Sequence, residues 1–281
     1  MKVAFQGIHG AYSEVAARTI LGKSCDTVPL DSFEQVFEAV RTGKADRGVI
    51  PIENSLAGSI HQNYDLLLQN NLHIVGETHL RIEHALMCHP ASHLRGLRQV
   101  RSHPQALAQC SRFFARHRRI TPVAFYDTAG AARSVMEERN PEIGAIAGTY
   151  AARLYGLRIL RVHLEDRSNN FTRFLVIAKK PRHPQRGVRT KCSVVFIPMQ
   201  NQVGILFRIL GVFALRDINL MKIESRPDPT STFEYMFYLD FTGNPRNPKV
   251  AKAIDHLREM VTDFRLLGAY PEDSRIRAQK R

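Results

Sequence analysis

From residue 2 to about residue 180, short apolar runs alternate with stretches that repeat apolar side chains at helical spacing. This alternation constrains the fold more than any other feature of the chain. Residues 2–5 read as a strand, 13–21 as a helix and 47–52 as a strand; strands at 122–125, 143–147 and 174–178 flank a helix opened by Thr128. The sharpest helix is 32–42. Ser32 and Gln35 form a capping box there, Phe33, Val36, Phe37 and Val40 make one stripe, and Gly43 ends it. A further helix starts at Pro104, with Leu107, Cys110 and Phe114 on one side, and the run from Arg112 to Arg119 fits one amphipathic helix. A chain of 281 residues with this pattern is α/β and holds one or two domains.

The pattern breaks between Lys179 and Lys191, where prolines, a glycine and a series of Lys and Arg side chains leave almost nothing apolar, and 181–191 reads as a linker. Beyond it come a strand (192–197), a helix (204–215), two strands (219–224 and 235–241), a helix (248–261) and a strand (264–270). The order βαββαβ is that of a ferredoxin-like unit. The expected organisation is a domain over 1–180, the linker, a second domain over 192–271 and a frayed tail over 272–281, which carries four cations.

Charge and composition exclude several functions. The 40 basic and 26 acidic residues give +14, but 1–180 carries 23 against 16 and 181–281 carries 17 against 10, so each part contributes +7 and neither is a basic module. Without a reader motif, nucleic acid is not an expected partner, whereas an anionic metabolite suits the field. Cys25, Cys88, Cys110 and Cys192 lie far apart, and His79, His84, His89 and His93 show no pairs at helical ligand spacing, so no metal is expected. Gly7-x-x-Gly10 is no dinucleotide fingerprint, and no cofactor is expected. The first residues are too short an apolar run for a signal peptide and no later run could span a bilayer. The expectation is a soluble, cytoplasmic protein with no membrane partner.

Four segments put polar side chains where strands end or helices begin, the places where α/β domains build ligand crevices: residues 53–59, Ser102-His103-Pro104-Gln105, Thr128-Ala129-Gly130 and Asn169 to Phe174. Each taken alone is explained by capping and turn chemistry; their recurrence within one domain is the signal. Phe5-Gln6-Gly7 with Gly10-Ala11-Tyr12-Ser13, then Pro51-Ile52-Glu53-Asn54-Ser55-x-x-Gly58, and above all Asn170-Phe171-Thr172-Arg173-Phe174, resemble the prephenate dehydratase family. Downstream, Gly204-Ile205-Leu206, Ile218-Asn219-Leu220 and Ile223-Glu224-Ser225-Arg226-Pro227 resemble the amino-acid-binding ACT domain that these enzymes carry. Val203 stands where a proline is common in that domain, and Ile205 where a small residue is.

The resemblance implies two α/β lobes around a cleft, similar to type II periplasmic solute-binding proteins, with the chain crossing back before its last strand at Thr172. It implies catalytic roles for Thr172, Arg173 and Phe174, and a substrate site of Glu53, Asn54, Ser55, Ser102, Gln109 and Thr128. It also implies a phenylalanine pocket at Asn201, Gly204, Ile205, Leu206, Glu224, Ser225 and Arg226. The implied activity is dehydration of dianionic prephenate to phenylpyruvate by a homodimer or homotetramer that L-phenylalanine inhibits. Arogenate dehydratase is the alternative, and a catalytically silent solute-binding or sensing module is the rival from another class, against which the intact Thr172-Arg173-Phe174 argues. The chemistry suits these residue types. Hydroxide is a poor leaving group, and an aliphatic hydroxyl, too weak an acid for full transfer, serves as a donor to the departing oxygen. Arg173, with its bidentate fork, is the expected partner of the carboxylate that stays, helped by the helix starts at Ser102 and Thr128.

Overall fold

The computed structural model describes residues 1–185, 187–199, 203–228 and 235–273; all but the first two residues of the expected tail lie outside these. It divides into two compact units, one of residues 1–69 and 78–175, the other of 70–77 and 176–281.

The first unit opens with β1 (Lys2–Gln6), α1 (Tyr12–Leu21), β2 (Asp26–Leu30), α2 (Phe33–Thr42), β3 (Arg47–Asn54), β4 (Gly58–Ser59), α3 (His61–Gln69) and β5 (His73–Arg81). β1 pairs in parallel with both β2 and β3, and its central residues Val3, Ala4 and Phe5 are fully buried. That burial is why these strands read as continuous apolar runs rather than alternating ones. The α2 box forms with one change of partner. Ser32 accepts from Gln35 N at 3.3 Å, while the Gln35 side chain accepts from Asp31 N at 3.0 Å, one residue upstream of the cap. Gly43 closes the helix at φ 85°, a left-handed turn that glycine adopts without strain.

A second sheet follows, from β6 (Ala85–Cys88), β7 (Gln99–Ser102), α4 (Pro104–Ala108), α5 (Ser111–Arg116), β8 (Thr121–Ala124), α6 (Thr128–Glu138), β9 (Ile143–Ala147), α7 (Thr149–Leu154) and β10 (Arg158–Arg161), in the order β10-β6-β9-β7-β8. The chain then returns as β11 (Phe171–Ala178), which inserts between β3 and β5 in the first sheet, whose order is β2-β1-β3-β11-β5. Two α/β lobes with a returning strand are the architecture that the resemblance implies.

Three local expectations are corrected. The helix from Pro104 is two helices, because Asp166 caps the second from 55 residues away, accepting from Ser111 N at 2.9 Å and Arg112 N at 3.1 Å. The helix ends at Arg116 instead of continuing to Arg119, since Ile120 N bonds to His117 O at 2.8 Å and turns the chain. Thr128 is the first residue of α6 rather than its cap; Asp127 caps it, its carboxylate accepting from Gly130 N.

The second unit carries β12 (Thr190–Pro198), α8 (Ile205–Ala214), β13 (Leu220–Pro227), β14 (Tyr235–Thr242), α9 (Pro248–Arg258) and β15 (Val261–Pro271), an antiparallel sheet ordered β13-β14-β12-β15. This is the expected βαββαβ unit. Cys192, Val194 and Phe196 of β12 pack with Ile209, Val212 and Phe213 of α8 and with Leu257 of α9. Residues 70–77 belong to this unit as well. Arg265 donates to Asn70 O at 2.7 Å and Leu72 O at 3.0 Å, and a Cβ on Gly268 would fall 2.1 Å from Ile74 O, so only glycine allows that approach. The end of the expected linker is already strand, and Lys191 lies buried against Glu77 at 2.7 Å, so its charge is paired rather than solvated. Among the described residues, no helix is long and apolar enough to cross a membrane.

Candidate active site

The end of β3 and the start of β11 lie side by side, and their side chains lock each other. Asn54 Oδ1 accepts from the backbone N–H groups of Leu56 (3.0 Å) and Ala57 (2.9 Å), as a short polar side chain does in a turn. Those two bonds settle which end of the amide is nitrogen. Asn54 Nδ2 therefore donates to Asn170 Oδ1 at 2.8 Å and to Thr172 Oγ1 at 3.0 Å. Because the Thr172 oxygen accepts from Asn54, its own proton is left to point elsewhere.

The same directionality runs on through the second lobe. Asn170, fully buried, uses its oxygen for Asn54 and so donates from Nδ2 to Gln109 Oε1 at 2.9 Å. Gln109 Oε1 also meets His84 Nε2 at 2.8 Å, which requires His84 to carry its proton there. His84 Nδ1 then faces the Tyr12 hydroxyl at 3.1 Å, and that hydroxyl also reaches Glu83 O at 2.8 Å. Burial pushes the His84 imidazole below its ordinary range, outweighing Gln109 and Glu165, which favour the cation, so the ring is neutral at pH 7. Burial, reinforced by Cys110, Glu165 and Glu83, holds the Tyr12 phenol well above its usual value and keeps it a donor. Gly148 makes room for that ring: a Cβ there would stand 3.0 Å from it. With its oxygen doubly engaged, Gln109 has its Nε2 donors left over.

These groups face a cavity of about 250 Å³ between the two lobes of the first unit. Asn54, Gln109, Thr128, Thr172 and Phe174 line it, and Pro51, Ile60, Ile82, Ala106 and Phe174 give it an apolar wall. Three helix starts point into it: Ala11, Tyr12 and Ser13 of α1, which has no side-chain cap; His103, Gln105 and Ala106 of α4; and Asp127 and Thr128 of α6. Unbonded first-turn N–H groups favour an anion, and these remain at α1, whereas His103 caps α4 and Asp127 caps α6. Among the described lining residues there is no Lys or Arg, and Asp127 is the one carboxylate; burial raises its pKa, against the lowering by the N–H groups of Gly130 and Ala129 and by His103.

Of the predicted site, Asn54, Gln109, Thr128, Thr172 and Phe174 converge. Four residues do not line the cavity, and each has a local reason. Strand alternation sends Arg173 to the face opposite Thr172 and Phe174, where it is buried, so it is not placed to grip a carboxylate in the cavity. Ser102 is fully buried and spends its hydroxyl on Ile146 O at 2.6 Å. Ser55 donates to Asn169 O at 2.6 Å and accepts from Phe171 N at 2.9 Å, fastening the two segments together. Glu53 pairs with Ser59 in the short β3–β4 ladder. The sequence reading missed Tyr12, His84, Asp127 and the Asn170 bridge. Tyr12 and Asn170 sit inside motifs already quoted, and His84 stood among histidines judged only as metal ligands.

In the second unit, Gly204 caps α8 at φ 80°, with Ile205 and Leu206 in its first turn, and Glu224, Ser225 and Arg226 lie on β13, an edge strand. Asn201 lies outside the described residues. Val203 and Phe207 are 99% and 80% exposed, the surface of a unit with an uncovered apolar patch.

Comparison with known proteins gives two family matches, "Prephenate dehydratase" over residues 3–182 and "ACT domain" over 193–259. Arogenate dehydratase/prephenate dehydratase 2, chloroplastic, of Arabidopsis thaliana is 44% identical over 283 residues, covering 98% of this chain and 74% of its own. Among solved structures, prephenate dehydratase from Arthrobacter aurescens in complex with L-Phe superposes with a TM-score of 0.89 at 29% identity, covering 97% of this chain and 90% of that one. GqqA, described as a novel type of quorum quenching acylase, superposes with a TM-score of 0.89 at 36% identity over 97% of this chain and 98% of its own.

Proposed function

The chain belongs to the prephenate dehydratase family, and from that premise we propose that it converts prephenate to phenylpyruvate and that its ACT domain binds L-phenylalanine as an inhibitor. It is a lyase of the dehydratase type. In the proposed reaction the bond to the ring carboxylate breaks and releases carbon dioxide. The freed electron pair completes the aromatic ring, and the carbon–oxygen bond on the opposite carbon breaks. Hydroxide takes a proton from solvent and leaves as water. The observation that carries the reading is the direction of the hydrogen-bond network: Asn54 donates to Thr172, so the Thr172 O–H is turned outward as a donor. A preorganised donor at an oxygen that gains charge only in the transition state is worth about 3–4 kcal/mol. The Gln109 Nε2 group supplies a second donor, and the uncapped start of α1 receives the carboxylate that remains. Arg173 has no part in this version of the site.

Arogenate, which bears an amino group on the side chain, is the second reading, supported by the double name of the Arabidopsis relative. The sensing half is supported by the L-Phe complex of the Arthrobacter aurescens protein and by Gly204 opening α8 beside an exposed apolar patch, which suits a homodimer that shares the effector between copies. The test is phenylpyruvate formation from prephenate, with and without added phenylalanine. Turnover suppressed by phenylalanine is the expected result, and a protein that turns over neither prephenate nor arogenate defeats the proposal.

A further inference from the structure

The second lobe of the first unit holds another cavity, of about 310 Å³. β7 and β8 run in parallel, and their C-terminal ends lead into His103 and Asp127 at the catalytic wall. The other cavity lies at their N-terminal ends, between the turn at residues 94–97 and the residues that follow α5, so the strands separate the two sites.

Its charge is one-sided. Arg95, Arg116, Arg118 and Arg119 line it, and no Asp or Glu among the described residues does. Elsewhere in this lobe Arg101 pairs with Glu138 and Arg133 with Glu137, whereas the four around the cavity have no ion pair or side-chain hydrogen bond to a described residue. A continuous helix would have spread these charges along a wet face, but α5 stops at Arg116. Ile120 N bonds to His117 O at 2.8 Å, and the turn this closes brings Arg118 and Arg119 to the same wall as Arg116. The floor is apolar, from buried Leu97 and Ile120. His117 is fixed beside it, stacked on Phe113 with ring centroids 4.4 Å apart and donating from Nδ1 to Phe113 O at 2.9 Å, which leaves Nε2 available to a ligand.

Like charges gathered over an apolar floor repel one another, and a concave wall focuses their field on an anion that enters. A carboxylate has about four lone-pair sites, far fewer than the roughly twenty N–H donors of four guanidinium groups. Phosphates match better, since each offers three oxygens that a planar guanidinium fork grips two at a time. The volume stands at the low end of the range for small-ligand sites, room for a short chain of phosphates. We propose that this cavity binds a small anion bearing adjoining phosphates, either an inorganic polyphosphate or the phosphate chain of a nucleotide.

The experiment is calorimetric titration of the full-length protein with sodium tripolyphosphate and with ATP. Arg118→Gln/Arg119→Gln is compared with Lys23→Gln/Lys252→Gln, which removes the same charge from exposed positions elsewhere. Each lost arginine contact should weaken binding about 10-fold, so the arginine variant should bind about 100-fold more weakly while the lysine variant stays within about threefold of wild type. Arg95→Gln, on the opposite rim, should lose about 10-fold by itself. Circular dichroism and unchanged dehydration activity show that each variant is folded. Equal affinity for tripolyphosphate and ATP assigns the site to the phosphate chain itself; tighter binding of ATP with the same arginine dependence assigns it to a nucleotide. Wild-type protein that binds neither overturns the proposal, as does an equal loss in the arginine and lysine variants, which marks a diffuse field. Arginine-dependent binding of a single-stranded oligonucleotide without binding of either small ligand also overturns it and makes nucleic acid the occupant.

Discussion

Asn54→Asp is the most discriminating single change at the site, because it keeps the shape of the side chain and reverses one direction of hydrogen bonding. The introduced carboxylate still accepts from Leu56 N and Ala57 N, so the turn after β3 stays. What is lost is the Nδ2 donor that stands 3.0 Å from Thr172 Oγ1 and 2.8 Å from Asn170 Oδ1. Thr172 then turns its only proton back to that carboxylate and no longer presents it to the leaving oxygen. Removing one such donor costs about 2.7–4 kcal/mol of transition-state stabilisation, a fall of about 10²–10³ in kcat, while KM moves little. The oxygen of Asn170 faces a carboxylate instead of a donor, which lowers stability by about 1–3 kcal/mol. Initial rates of phenylpyruvate formation and urea unfolding separate the two effects. Acid should partly rescue the variant, since the introduced carboxyl, once protonated, again donates to Thr172. Thr172→Val on the Asn54→Asp background should add almost nothing to the loss, because both changes delete the same donor. A variant within threefold of wild type, or losses that multiply, refutes the argument that Asn54 orients Thr172.

Ser102→Ala should leave KM unchanged and cost about 0.5–1.5 kcal/mol in urea unfolding, the net worth of its bond to Ile146 O; a large rise in KM would return Ser102 to the site. Lys191→Met should destabilise by about 3–5 kcal/mol, because it removes the cation that balances the fully buried Glu77 carboxylate, and a loss below about 1 kcal/mol shows that water reaches the pair. The His84 imidazole is held below its unfolded value of about 6.5, so the unfolded chain binds the extra proton first: the stability it confers is complete above that value and is lost as pH falls toward the folded pKa. Unfolding midpoints measured from about pH 8 to about pH 5 should fall less steeply in His84→Gln than in wild type, and equal slopes exclude His84 as a source of acid sensitivity.

The sequence carried most of the fold because most elements are fixed locally. The stripe and cap of α2, the apolar runs of β1 and β3, and the order βαββαβ beyond residue 190 are all written in neighbouring residues. It failed where the deciding partner is remote. Asp166 breaks the helix after Gln109 from 55 positions away, and nothing near Lys191 announces Glu77, 114 positions upstream. The site divides the same way. Asn54 and Thr172 could be read from motifs, but strand alternation, which any reading of β11 contains, already set Arg173 against Thr172 and Phe174. The cation expected for an anionic substrate, Arg173, is not among the residues that line the cavity. Tyr12, His84 and Gln109 acquire their roles only through one another, at separations of 72 and 25 residues, and no local pattern encodes that chain of donors.

A cavity without Lys or Arg among its described lining residues is a reasonable place for the proposed chemistry. Prephenate brings two carboxylates, and only one should be held. The ring carboxylate surrenders its charge as carbon dioxide departs, so a full cation beside it would stabilise the ground state more than the transition state and slow the step. The uncapped start of α1 avoids this. It offers roughly half a charge that fades within the first turn, enough to orient a carboxylate that stays but too diffuse to trap one that must leave. The apolar wall of Pro51, Ile60, Ile82 and Phe174 works in the same direction, since desolvation penalises the charged carboxylate and not the neutral gas it becomes. In the proposed reaction the strong, directed donors are instead Thr172 and Gln109, assigned to the opposite end of the ring, where charge appears. Neutral His84 fits this division: buried and uncharged, it fixes Gln109 without adding a cation to the wall. In the proposed reaction the net charge of +14 acts from outside, raising the local concentration of the dianionic substrate.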